Sequence, residues 1–344
     1  MIAIEKFTPQ TLFDILKNIK VGGTVCHFSL KKCEELVQVI NEINDLKREK
    51  NAVILAHSYV SPEIVYGVAD FVGDSYALSK DAMSTQADII VFAAVRFMGE
   101  TAQILNPKKE VLIPATEDGC TLADAINAEQ VRELRKQFPQ HTFVCYINTT
   151  AEVKAESDVC VTSANVYDIV ANIPNDKIYF LPDKMMGQNL KNEMLRRGVK
   201  KDIQYFSGTC YVHEEYGAEQ IHKIRLEYPE VKVVSHPECN PDVIRESDYV
   251  GSTSQMLEYM EKSRAKEFLM LTECGLSSRL QVEMPHKRLV GACTLCKYMK
   301  SNTLEDILRV LKNPMPRDRV ILDETIRRRA LKSIEAMFQY NPKK

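Results

Sequence analysis

Three stretches of this 344-residue chain carry the same succession of short patterns, and that repetition restricts the fold more than any single motif. Each begins with an apolar run that finishes on a polar side chain: AVILAHS at His57, TFVCYIN at Asn148 and VKVVSHPE at His236. Runs this rich in Val and Ile fit strands buried on both faces of a parallel sheet. A second element follows each: ADFVGDS (69–75), SDVCVTS (157–163) and SDYVGST (247–253). Their aspartates, Asp70, Asp158 and Asp248, lie 88 and 90 residues apart. A third element, IIVFAAVRFMG, IYFLPDKMMG and FLMLTECG, closes on Gly99, Gly187 and Gly275, spaced by 88 and 88. Any α/β chain repeats its strands, but not three elements in matched register. The pattern predicts three copies of one α/β unit, each alternating strands with helices.

The units are expected at 47–122, 123–212 and 213–300, flanked by a helical extension at 1–46 and a helical segment at 301–344 that packs on the core. Within the extension, SLKKCEELVQVINEINDLKREK has apolar residues at helical spacing behind a Ser suited to an N-cap. At the other end, DETIRRRALKSIEAMF reads as an amphipathic helix with an acidic start and a basic next turn. With 45 basic against 47 acidic side chains, nothing points to nucleic acid or an anionic membrane. The longest apolar run, IIVFAAV, is too short to span a bilayer, and the N-terminus lacks the apolar core of a signal peptide. The expectation is a cytoplasmic protein.

That compartment bears on the ten cysteines, which in a large cytosolic chain are buried thiols or metal ligands rather than a disulfide framework. Counting from the repeat glycines, Cys120 lies 21 residues past Gly99 and Cys210 lies 23 past Gly187. Past Gly275 the choices are Cys293 at 18 and Cys296 at 21, so the spacing favours Cys296. One cysteine per unit, each in a loop of small and polar neighbours, would meet near a pseudo-threefold axis. Three converging thiolates suit a [4Fe–4S] cluster with one iron free of protein ligands, which acts as a Lewis acid. Zinc on three cysteines plus one more ligand is the alternative, although intervals of 90 and 86 residues match no compact zinc module. The expected architecture is therefore α/β: three pseudo-threefold-related α/β/α three-layer domains with parallel sheets around a central cluster.

Ligands of open parallel sheets gather at the carboxyl ends of the strands. There the chain places His57 and Tyr59, Tyr146 and Asn148, and His236 and Glu238, while His213 lies three residues past Cys210. A single His at a strand end is ordinarily structural. Several, accompanied by a Glu, favour acid–base chemistry. Hydroxyls in GDSYALSKDAM, TSANVYDIV and GSTSQMLEYM sit where helices should begin; they suit N-caps and equally a small polyanion. His222, His286 and the pair in CHFSLKKC (26–33) have no such context and are expected to be inert.

The stretches ILAHSYVSPEI, ADFVGDSYALSKDA, FMGETAQILNP, CYINTTAEVKAESDVCVTSAN, HPEC, GSTSQM and CKYMKSNTLEDIL closely resemble the quinolinate synthase family, from about residue 47 to about 340. The resemblance implies three α/β/α domains around a [4Fe–4S] cluster on Cys120, Cys210 and Cys296. It implies condensation of iminoaspartate with dihydroxyacetone phosphate to quinolinate, phosphate and two waters, feeding NAD biosynthesis. It also implies a transient contact with an L-aspartate oxidase or dehydrogenase. Substrate-facing residues would be His57, Tyr59 and Ser75 of the first unit and Tyr146, Asn148 and Ser163 of the second. The third would add His236, Glu238, Ser252 and Thr253, with His213 beside the second ligand. Glu238 would be the general acid–base, the tyrosines would assist isomerisation and ring closure, and Ser163, Ser252 and Thr253 would hold phosphate or carboxylate. Ser58 stands where the family often has Asn, the first 46 residues extend beyond many members, and Cys293 has no counterpart duty.

Two other readings are weaker. The radical enzyme of diphthamide formation resembles this architecture, but a protein substrate does not need the HPEC and GDS motifs. An iron or redox sensor would need a basic or apolar recognition surface, of which the charge balance gives no sign.

Overall fold

The computed structural model describes residues 6–20, 27–291 and 293–341. Among the described residues, twelve strands form three separate four-stranded sheets, each wholly parallel. In the first, β1 (Ala52–His57), β2 (Phe71–Gly73), β3 (Ile89–Ala93) and β4 (Glu110–Leu112) lie in the order 2-1-3-4. The second repeats that order with β5 (Thr142–Tyr146), β6 (Val159–Val161), β7 (Lys177–Leu181) and β8 (Asp202–Tyr205). The third does so with β9 (Lys232–Ser235), β10 (Tyr249–Val250), β11 (Glu267–Leu271) and β12 (Arg288–Leu289). Helices fill the connections, as parallel pairing requires. The chain order reverses beside the first strand of each sheet, which makes the carboxyl end there the natural ligand crevice.

The repeated aspartates set the register of these sheets. Asp70 Oδ2 accepts the N–H of Ile54 at 2.7 Å, Asp158 that of Phe143 at 2.8 Å, and Asp248 that of Val233 at 2.9 Å. The N–H of each aspartate donates back to the carbonyl of the same residue, at 2.9 Å in all three sheets. A cation from the preceding helix completes each clasp: Lys47 at 2.8 Å, Arg135 at 2.6 Å and Arg225 at 3.6 Å. Ile54, Phe143 and Val233 are therefore equivalent positions, and the periodicity read from the aspartates is a physical repeat.

The glycines depart from it. Gly99 and Gly187 occupy the fourth position of their helices, Arg96–Leu105 and Lys184–Arg196. There a Cβ would collide with Ile113 at 2.3 Å and with Tyr205 at 2.5 Å, so glycine lets the helix settle onto the end of the fourth strand. Gly275 instead opens its helix, Gly275–Glu283, and its missing Cβ makes room for the backbone of Tyr59 in the first unit, 2.6 Å away. The second interval of 88 residues, from Gly187 to Gly275, is thus a coincidence of loop lengths.

Among the described residues, both flanking segments form helices that bind the units together. Ser29 caps the helix Leu30–Glu49 by accepting the N–H of Lys32, and Asp323 caps Glu324–Tyr340. The latter helix reaches two units: Arg327 donates to the Ile104 carbonyl, and Arg329 pairs with Glu156 at 2.7 Å. Ahead of the first sheet, the Lys20 N–H donates to Gln281 of the third unit. His222 and His286 are exposed, Cys33 is buried, and Cys26 lies outside the described residues. Among the described residues, no helix is long and apolar enough to cross a membrane.

Candidate active site

Because the three sheets share one register, side chains three and five residues past the clasped position recur at the same places. The first set is His57, Tyr146 and His236; the second is Tyr59, Asn148 and Glu238. Five residues past each aspartate stand the hydroxyls of Ser75, Ser163 and Thr253. All nine line a single cavity with His213 and the thiols of Cys120, Cys210 and Cys296. Val95, Phe97, Met98, Val212 and Met299 supply its apolar wall.

Ser252 does not line this cavity. Its hydroxyl caps the helix Thr253–Lys262 and donates to Asp74 Oδ2 at 2.8 Å, tying the third unit to the first. Ser163 also departs from the helix-start expectation, since the following helix, Val166–Asn172, begins behind an Asn165 N-cap. Cys293 is joined to Cys274 by a disulfide, which anchors the segment leading into Cys296.

Polar contacts join the third unit to each of the other two. Tyr59 and Thr272 share a 2.6 Å hydrogen bond between hydroxyls, and the Thr272 oxygen lies 3.2 Å from His213 Nε2. Tyr146 donates to Glu238 Oε1 at 2.7 Å, while Glu238 Oε2 lies 3.2 Å from His213 Nδ1. The His213 and His236 rings stack with centroids 4.7 Å apart. A line of polar groups thus runs from Tyr59 through Thr272, His213 and Glu238 to Tyr146.

Burial decides which members hold protons. It pushes the His57 imidazole down to about 4 and that of His236 to about 3, so both are neutral at pH 7. Burial also raises the phenols of Tyr59 and Tyr146 well above their usual range, with the Glu238 charge adding to it at Tyr146, and leaves them hydrogen-bond donors. At Glu238 burial favours the neutral acid, but the imidazoles of His213 and His236 and the Tyr146 hydroxyl outweigh it and hold the carboxyl down at about 2.

The three thiols can hold a metal cluster. Burial, reinforced by the Cys296 charge, raises Cys120 to about 12, and burial raises Cys210 and Cys296 as well. Three thiolates drawn together out of water oppose one another's ionisation, and a soft cationic centre removes that opposition. The loop bearing Cys296 is braced for such a role. Glu273, fully buried, accepts the Cys296 N–H at 3.1 Å and pairs with Lys300 at 3.2 Å, and Lys300 donates to the Tyr59 carbonyl. Tyr211 accepts the N–H of Lys297 at 2.8 Å and donates to the Leu295 carbonyl.

Asp74, Thr272 and Glu273 were not singled out from the sequence. The last two directly follow the apolar run FLML, the same signal that marked the other strand ends. Asp74 sits inside the GDS motif, where capping and substrate contact look alike.

Fold and cavity together define an enzyme built of three α/β units around a thiol-lined cavity suited to a metal cluster. The family model described as quinolinate synthetase A protein matches residues 41–339. Quinolinate synthase of Aquifex aeolicus is 45% identical over 313 residues, covering 89% of this chain and 95% of that protein. Quinolinate synthase 2 of Mesorhizobium japonicum is 44% identical over 298 residues, 87% and 90% of the two chains, and the Alkaliphilus metalliredigens enzyme is 42% identical over 303, 88% and 98%. The chain belongs to the quinolinate synthase family.

Proposed function

We propose that the chain condenses iminoaspartate with dihydroxyacetone phosphate to quinolinate, phosphate and two waters, using a [4Fe–4S] cluster on Cys120, Cys210 and Cys296. The observation that carries this reading is the convergence of three thiols with imidazole, phenol, amide and carboxylate side chains from all three units in one cavity. When bound, such a cluster supplies a Lewis acid, because three protein thiolates leave one iron open to a substrate oxygen.

The remaining chemistry falls to the chain. Both substrates are anionic, yet no Lys or Arg is among the described lining residues. Their phosphate and carboxylates are held instead by the hydroxyls of Ser75, Ser163 and Thr253, the Asn148 amide and the neutral imidazoles of His57 and His236. Ser252 acts through Asp74 rather than on substrate. Glu238, with His213 beside it, takes up the protons released as C–C and C–N bonds form and returns them to the departing hydroxyls. Tyr59 and Tyr146, which retain their protons, donate to substrate oxygens during isomerisation and ring closure. The apolar wall keeps bulk water from the imine and strengthens these polar contacts. Iminoaspartate hydrolyses in water, which favours delivery by transient contact with the L-aspartate oxidase or dehydrogenase that makes it. The ligand cysteines are free thiols, which fits a cytoplasmic setting, while the Cys274–Cys293 disulfide departs from the all-thiol expectation.

The test is anaerobic assay of the full chain with and without reconstituted cluster. The expected result is one phosphate released per quinolinate formed, only in the cluster-loaded protein. A fully loaded protein that consumes both substrates without forming quinolinate would refute the reading.

A further inference from the structure

A second donor set lies within the cavity and shares Cys210 with the three thiols. One ligand atom each of Cys210, His213 and Glu238 fall within 4.8 Å of one another. His213 and Glu238 are almost fully buried, at 2% and 3% exposure. His213 Nδ1 and Glu238 Oε2 face each other at 3.2 Å, yet neither makes an aligned hydrogen bond to anything. Buried polar atoms left without partners are uncommon, and two facing each other beside a thiol mark a place for a cation.

The far side of each ligand is already engaged as a metal site requires. A metal-bound imidazole ordinarily uses its other nitrogen in a hydrogen bond, and His213 Nε2 lies 3.2 Å from the Thr272 hydroxyl. Glu238 Oε1 accepts the Tyr146 hydroxyl at 2.7 Å, which leaves Oε2 as the ligand oxygen. Thiolate, imidazole and carboxylate with an open fourth position form the donor set of tetrahedral zinc, and closing these atoms to zinc bonding distances needs movements of about an ångström.

We propose that the cluster-free chain binds one divalent transition-metal ion, Zn²⁺ foremost, on Cys210, His213 and Glu238, and that this ion blocks cluster assembly. The block follows from competition: both centres draw on Cys210, and a thiolate already bonded to zinc is a poorer donor to an incoming iron. The first half of the proposal stands on the cavity alone; the second rests on the cluster reading above.

Co²⁺ is the probe, because its thiolate charge-transfer and tetrahedral visible bands report ligand type and geometry. Titrated into the reduced, cluster-free full chain, it should bind at one ion per chain and be displaced by Zn²⁺. Glu238→Gln and His213→Ala should each weaken binding by more than the roughly tenfold expected for the outer partner variant Thr272→Val. Cys120→Ser and Cys296→Ser should leave Co²⁺ affinity unchanged while abolishing cluster assembly. Zinc-loaded wild type should take up no iron and sulfide until a chelator removes the zinc. Co²⁺ binding that depends on Cys120 and Cys296 but not on His213 and Glu238 would overturn the assignment. So would absence of stoichiometric uptake by a chain whose circular dichroism is native. Full cluster assembly with zinc retained would overturn the exclusion. Activity of the loaded enzyme enters none of these readings, so they stand or fall apart from quinolinate formation.

Discussion

The aspartate clasps allow a quantitative comparison, since one motif occurs in three surroundings. Asn at position 70 keeps an acceptor for the Ile54 N–H but loses the charge facing Lys47. The Lys47 side chain is only 10% exposed, against 36% for Asp70, and its remaining partner is the Val68 carbonyl. Stranding a cation at a fully buried site costs about 3–5 kcal/mol; the half-open Asp70 side reduces this to about 2 kcal/mol. Arg135 and Asp158 are 35% and 41% exposed, so the same change at 158 should cost about 0.5 kcal/mol. Urea unfolding followed by circular dichroism on Asp70→Asn and Asp158→Asn would measure both. Asp70→Ala should lose about 1 kcal/mol more, because the Ile54 N–H is then unpaired. Lys47→Met combined with Asp70→Asn should recover most of the loss, because no buried charge remains. Equal costs for the two Asn variants, or no recovery in the double variant, would refute the argument that burial of the cation sets the difference.

Other outcomes follow from the site. Glu238→Gln preserves the acceptor for Tyr146 but cannot carry a proton; kcat should fall roughly a hundred- to ten-thousandfold, with the bound iron and sulfide unchanged. Cys296→Ala should lose both cluster and quinolinate formation, whereas Cys293→Ala, which removes only the link to Cys274, should retain iron and sulfide on anaerobic analysis. Ser252→Ala breaks the bond to Asp74 and uncaps a helix; melting should reveal a loss of about 1–2 kcal/mol, with KM changed less than in Thr253→Ala, whose side chain lines the cavity.

Much of the site could be read directly because parallel strands end where ligands bind. A polar residue closing a Val- and Ile-rich run is already placed, and His57, Tyr146, Asn148, His236 and Glu238 were found in that way. The same rule extends to Thr272 and Glu273 behind FLML. The fourth strands were not legible: β4, β8 and β12 are two to four residues long and partly exposed, so neither length nor alternation distinguishes them from loop. Ser252 and Thr253 are neighbours with the same chemistry, and only the helix geometry sends one to Asp74 and the other to the cavity.

What the sequence determined by itself was periodicity: three α/β units, the clasping aspartates and one candidate thiol in each. Such features are local, because a strand pattern or an N-cap depends on residues a few positions apart. Tertiary structure decided which periodic features are equivalent. Gly275 keeps the interval of Gly99 and Gly187, yet it packs against the Tyr59 backbone of another unit, a contact no spacing encodes. It also decided that Tyr59 meets Thr272 and that His213 and Glu238 face each other beside Cys210, across separations of 213, 25 and 28 residues. The physical reason is that side chains so distant in sequence meet only through the docking of whole sheets, which is set by the sum of many apolar contacts rather than by any motif.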